Sequence, residues 1–214
     1  MDFETFVKFL PKIEKEKLLA ITAHQKMAPL ERFSSLHPAY YADKNPRKAA
    51  VLLLVYPKNS EAHLVLIVRN AYEGVHASQI AFPGGKEEIS DPDLSFTALR
   101  ETEEEVGVLM EQIKIVRPFS QVYIPPSNFL VAPFLGITTN ELQFRLDPHE
   151  VKAIVEFPLR TLLDDEILTE VKMKTSYANE MLVPAFKIEE HIVWGATAMM
   201  LSELKELLKN SINS

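Results

Sequence analysis

The run Arg100-Glu101-Thr102-Glu103-Glu104-Glu105-Val106-Gly107 sets four carboxylates within five consecutive positions of a helix-patterned segment. Like charges three or four apart on a helix repel, by roughly a few tenths of a kcal/mol per pair, so such a cluster needs something that offsets the repulsion. Glu101 and Glu105 are i and i+4 and share one face, with Glu104 beside them as the i+3 neighbour of Glu101. Hard divalent cations such as Mg²⁺ and Mn²⁺ take oxygen ligands and bridge carboxylates to substrate phosphates, and this face offers that chemistry. An acidic run is more commonly a solvated helix face. Two features weigh against that reading here. The carboxylates fall late in the helix, where the macrodipole disfavours negative charge, and Arg100 adjoins them as an anchoring cation.

The helix has its own punctuation. Ser90 or Asp91 suits the N-cap, Pro92 the first helical position and Gly107 the C-terminal stop, with Leu94, Phe96, Ala98, Leu99 and Val106 as the core face. Just upstream lies the turn Phe82-Pro83-Gly84-Gly85, reached through a polar, irregular stretch from Asn70 to Gln79. Two apolar runs, 49–56 and 62–68, flank Pro57-Lys58-Asn59 and predict a buried hairpin. Further strands are expected over 113–122, 129–138 and 153–159, a pair over 167–174 and 182–188, and a closing helix over 196–209. Residues 2–19 carry apolar side chains at helical spacing despite Pro11, and 22–47 is weakly patterned. The expected fold is α/β (α+β), a mixed sheet layered with helices: a domain over 49–214 on which residues 1–48 pack as an N-terminal helical extension.

Composition narrows the function. The 214 residues carry a formal charge of −7, which opposes sustained nucleic-acid binding. A small polyanion remains a suitable partner where divalent metal neutralises the nearest carboxylates. The absence of cysteine removes thiolate catalysis and cysteine-held zinc, leaving oxygen or imidazole ligands for any metal. No signal-peptide pattern opens the sequence and no apolar run reaches membrane-spanning length, so the expectation is a cytoplasmic protein without a membrane partner.

The residues Arg100 to Val108 resemble the second half of the Nudix box, Arg-Glu-aliphatic-x-Glu-Glu-x-Gly-aliphatic, and depart from it only at Thr102. With Gly85 as the opening glycine, the interval to Arg100 is one residue longer than in the standard box. Pro92 then stands where the box has its first glutamate, with Asp91 or Asp93 as substitutes. The resemblance implies a Nudix-type α/β/α sandwich and a pyrophosphohydrolase using Mg²⁺ or Mn²⁺. It further implies Glu101 and Glu105 as metal ligands, completed by a backbone carbonyl near Gly85, with Glu104 assisting and Arg100 orienting the carboxylates. The general base is expected first among the glutamates of this helix, Glu104 included, with a loop residue as the alternative.

The segment before the box is similar to that of coenzyme A pyrophosphatases, a Nudix subfamily that also has the lengthened box. Leu66, Arg69 and Phe82-Pro83-Gly84-Gly85 take matching places, with His76 and Gln79, while Ile67, Asn70, Gly74 and Ser78 depart from the pattern. Downstream, the segment from Tyr123 to Phe129 and the run Trp194-Gly195-Ala196-Thr197-Ala198 are also similar, although such aromatics serve more often as core or edge residues. Arg69, His76, Gln79, Phe82 and Tyr123 are thus the expected substrate-binding residues. The expected reaction cleaves the diphosphate of coenzyme A or its thioesters to 4′-phosphopantetheine and adenosine 3′,5′-bisphosphate. The alternatives are ADP-ribose, dinucleoside polyphosphates or nucleoside triphosphates as substrate, or a non-catalytic ligand-sensing Nudix module. A homodimer is the default assembly.

Overall fold

The strand Arg47–Lys58 alternates two buried sets: Ala49, Leu53 and Val55 belong to one hydrophobic cluster, Ala50, Leu52, Leu54 and Tyr56 to another. A strand covered on both faces loses the usual polar alternation, which is why its sequence reads as a continuous apolar run. The computed structural model describes residues 1–70, 79–173 and 181–213.

In chain order these form α1 (Phe3–Lys15), α2 (Ile21–Gln25), α3 (Pro38–Tyr41), β1 (Arg47–Lys58), β2 (Glu61–Arg69), β3 (Ile80–Ala81), β4 (Gly84–Lys86) and α4 (Leu94–Val106). They continue with β5 (Lys114–Pro118), β6 (Val122–Ile124), β7 (Phe129–Ile137), β8 (Val151–Pro158), α5 (Leu159–Leu163), β9 (Leu168–Met173), β10 (Met181–Ile188), β11 (His191–Trp194) and α6 (Gly195–Asn213).

The main sheet runs β3-β2-β1-β7-β5, with β8 on β2, β6 on β7 and β4 on β1. The pair β1·β7 is parallel and the other pairs are antiparallel, so the sheet is mixed. One face is covered by Ala98 and Val106 of α4. The other carries Phe3, Phe6 and Ile13 of α1 with Met199, Leu204 and Leu208 of α6, giving helices on both faces of a mixed sheet as expected. A second, three-stranded sheet orders as β11-β10-β9.

The edge of β1 that faces β2 is forked. Val55 to Lys58 pair with β2, whereas Ala49 to Val51 pair with β4, and the Leu52 amide donates to the Pro83 carbonyl at 2.9 Å. Residues 79–86 therefore wedge between two strands that diverge, with Phe82 buried in the wedge.

Several expectations change. Asp93, not Ser90 or Asp91, caps α4, accepting the Phe96 amide at 2.9 Å, so Pro92 stands outside the helix. Phe96 is only half-buried; Thr97 and Thr102 occupy the buried face, with the Thr102 hydroxyl donating to the Ala98 carbonyl at 2.7 Å. That bond lets a polar side chain stand where the box has an aliphatic one. The strand over 113–122 is two, β5 and β6, because Phe119 turns to donate to Pro133 and Ser120 is held by Glu203. The helix at 2–19 ends at Lys15, and β11 is a strand the periodicity did not disclose.

Candidate active site

Helix α4 sorts its four glutamates by rotation about its axis. Glu105 is 1 % exposed and points at the glycine turn, where its Oε2 accepts the Gly84 amide at 2.8 Å. Glu101 lies one turn earlier and presses on Gly85: a Cβ at Gly85 would sit 2.3 Å from Glu101 Oε2. Glu103 points away and accepts the Met110 amide at 2.8 Å, fixing the chain that leaves the helix. Glu104 is exposed.

Arg100 holds the outer side together. Its Nε and Nη2 donate to the two oxygens of Asp91, each at 3.0 Å, and its Nη1 donates to Glu101 at 3.0 Å and Glu104 at 2.9 Å. The bidentate grip drives the Asp91 carboxyl far below the usual carboxylate range, aided by the Glu88 amide and the Thr97 hydroxyl. Of the two aspartates considered as substitutes for the missing box glutamate, Asp91 thus pairs with the box arginine and Asp93 caps the helix.

The inner side is short of positive charge. Arg69 Nη2 approaches Glu105 Oε1 at 3.4 Å, close enough for attraction, yet that oxygen is buried with no hydrogen-bond partner among the described residues. Burial pushes the Glu105 carboxyl up to about 8, with Arg69 and the Gly84 amide pulling the other way. Burial also raises Glu101, against the opposing pull of Arg100. Glu150 joins them: single carboxylate oxygens of Glu101, Glu105 and Glu150 lie within 4.8 Å of one another. Its backbone is tied to the end of β2, since its carbonyl accepts the Asn70 amide at 2.9 Å.

This donor set suits a hard divalent cation. It is all oxygen, holds a buried carboxylate oxygen lacking a partner, and has a glycine where a Cβ would displace Glu101. A metal held at Glu105 would compete with a proton. Without metal, the folded chain binds a proton that the unfolded chain lacks between the ordinary glutamate range and about 8, so metal-free stability falls as pH rises through that window. A metal ion has no proton to displace above it. The rise in melting temperature on adding Mg²⁺ or Mn²⁺ is therefore expected to be larger at pH 9 than at pH 6. Equal shifts at the two pH values would count against metal at Glu105.

Beside the carboxylates lies a cavity of about 520 Å³. Arg69, Gly84, Gly85 and Lys86 form its end nearest the glutamates, and Gln79 and Phe82 also line it. Tyr123 is not among its lining residues. It is buried behind the wall, stacked on Tyr41 with centroids 4.9 Å apart, and its carbonyl accepts Arg32 Nη2 at 2.8 Å. His76, Gly74 and Ser78 lie outside the described residues. Sequence reading missed Glu150, Asp91 as partner of Arg100, and the cavity walls. The signal for Glu150 was slight: an acidic residue closing Asp147-Pro148-His149-Glu150 just before a strand.

Comparison with known proteins agrees with this geometry. The NUDIX domain pattern matches residues 46–176. Relatives from Salmonella paratyphi B and Salmonella newport, each described as an uncharacterized Nudix hydrolase NudL, are 35 % identical over 181 residues, covering 82 % of this chain and 90 % of theirs. Among solved structures, the Nudix hydrolase RenU from M. smegmatis superposes with a TM-score of 0.53 at 16 % identity, over 77 % of this chain and 87 % of its own. The NUDIX domain of Shewanella oneidensis NrtR, complexed with ADP ribose, gives 0.50 at 14 % identity, over 85 % and 99 %. These structures share the fold. The family pattern spans more than half of the sequence and the relatives align over most of it, so the chain belongs to the Nudix family and is one of its pyrophosphohydrolases.

Proposed function

We propose that this enzyme hydrolyses the diphosphate of coenzyme A or its thioesters. The observation that carries the reading is a cavity with one end at Arg69 and the Gly84-Gly85 turn, so that a diphosphate at the glutamates has room for a long organic arm on one side. The upstream residues Leu66, Arg69, Gln79 and Phe82 support the same substrate.

In this reading Glu101, Glu105 and Glu150, with a backbone carbonyl near Gly85, would hold Mg²⁺ or Mn²⁺. The bound metal would supply charge neutralisation and polarisation of the phosphoryl oxygens. Arg100 keeps Glu101 and Glu104 side by side through one nitrogen, and Arg69, which lines the cavity beside the glycine turn, would pair with the diphosphate. A water oxygen bonds to one phosphorus as the bridging P–O bond breaks. The departing phosphate takes the bond's electron pair, and Glu104 accepts a proton from the water. Residues 1–48 act as an extension packed on the catalytic domain.

Mass spectrometry after incubation with coenzyme A and Mg²⁺ or Mn²⁺ should show 4′-phosphopantetheine and adenosine 3′,5′-bisphosphate. Intact coenzyme A beside cleaved ADP-ribose, dinucleoside polyphosphate or nucleoside triphosphate would transfer the reaction to those substrates.

Arg100→Lys offers a second check, because an ammonium cannot grip Asp91 with two parallel hydrogen bonds while serving two glutamates. Loss of a group that orients metal ligands typically weakens metal binding by about 10–100-fold, and that is the expected rise in the Mn²⁺ concentration for half-maximal activity. An unchanged metal dependence would separate Arg100 from the site.

A further inference from the structure

Much of the wall of the 520 Å³ cavity comes from parts of the chain outside the matched residues 46–176. Met27, Pro29 and Arg32 come from the N-terminal extension, Val183 from β10, and Trp194, Met199 and Met200 from β11 and α6. The cavity is thus walled in part by segments that lie outside the matched family pattern. Its size falls within the range of about 300–1,000 Å³ typical of small-molecule sites.

The walls differ chemically. The glycine-turn end carries Arg69 and Lys86; the wall contributed by β10, β11 and α6 includes valine, tryptophan and methionine. Two polar groups lining the cavity already have partners: Thr197 Oγ1 donates to the Ile80 carbonyl at 3.0 Å, and Arg32 donates to the Tyr123 carbonyl and to Ser35 Oγ. Ser127 Oγ is a buried hydroxyl with no hydrogen-bond partner among the described residues, too little to pair the several edge atoms of a purine. A purine needs free donors and acceptors for its edge, because burying unpaired ring nitrogens is costly. An alkyl chain needs none, and methionine side chains adjust to chains of varying length.

We infer that this cavity binds the acylated pantetheine arm of the substrate, and that the N-terminal extension helps to set acyl selectivity. The adenosine bisphosphate half lies outside it. This rests on the coenzyme A reading for the identity of the arm.

Trp194 is the single tryptophan of the chain and lines the cavity, so its emission reports occupancy without turnover. The test titrates the Mg²⁺-loaded protein with S-octanoyl-4′-phosphopantetheine, 4′-phosphopantetheine and adenosine 3′,5′-bisphosphate. The octanoyl ligand should bind at least tenfold tighter than the unacylated one and shift Trp194 emission to the blue, while the bisphosphate should leave emission unchanged. Ala196→Phe places a ring in the cavity from the half-buried start of α6 and should erase the tenfold difference. Equal affinity for the two pantetheine ligands in the wild-type protein would overturn the inference, as would a Trp194 response to the bisphosphate; neither depends on how the variant folds. Cleavage of coenzyme A without an acyl preference would sink the cavity assignment and leave the reaction standing. Tight octanoyl binding with intact coenzyme A would do the reverse.

Discussion

Glu105→Gln is expected to lower the rate of diphosphate hydrolysis by roughly 10²–10³-fold, the scale on which removal of a preorganised electrostatic group acts. Glutamine retains an oxygen for the Gly84 amide, so the turn keeps its hydrogen bond while the site loses the charge that would hold metal. The same substitution should raise the melting temperature of the metal-free protein at pH 9, since it removes a buried anion whose inner oxygen has no hydrogen-bond partner among the described residues. Arg69 is partly exposed and can be hydrated once its partner is neutral. Activity and metal-free stability should thus move in opposite directions, as expected of a site that trades folding energy for function. Full activity in this variant would remove Glu105 from the metal site. Retained loss with no gain in stability would mean that the buried charge costs the fold little.

The second large effect separates two adjacent glycines. Gly84 has φ +149°, and a Cβ there would lie 2.3 Å from the Ala50 carbonyl oxygen and 2.6 Å from the Val51 Cα, both in the central strand. Backbone cannot retreat, so Gly84→Ala should cost about 3 kcal/mol or more in unfolding free energy. The three atoms nearest to a Gly85 Cβ all belong to the carboxylate end of Glu101, the flexible tip of a side chain that can rotate aside. Gly85→Ala should therefore leave chemical denaturation nearly unchanged while weakening Mn²⁺ activation at least tenfold, by displacing Glu101 from the proposed metal site. Denaturation curves and metal titrations of the two variants check both halves; similar profiles would show that the turn acts as one unit.

Local information in the sequence accounts for the inner face of α4 and little else in the site. Glu101 and Glu105 were legible because helical spacing alone puts them together, and Gly107 marks the helix end by adopting φ +72°. The N-cap was misplaced because three candidate residues precede the helix, and the choice depended on Arg100, nine positions away, claiming Asp91. Glu150 was not legible: it reaches the cluster through the pairing of β2 with β8, from positions far apart in sequence. The mixed sheet and its buried strands were readable from apolar runs. Their order was not, since a run of Leu and Val does not name its neighbour. The cavity is the extreme case, assembled from the extension, the glycine turn and the last helix.

The parallel pairing of β1 with β7 sets Arg47 beside Phe129 and Val55 beside Ile137, contacts of long sequence separation that slow folding through loop-closure entropy. During synthesis, β1 waits for β7 to leave the ribosome, and meanwhile its apolar edge and the wedge that carries Gly84 and Gly85 have no complete sheet to join. A nascent chain halted before Phe129 should accordingly be protease-sensitive and dependent on chaperones, and should acquire Mn²⁺-dependent protection only after β8, with Glu150 at its threshold, has been made.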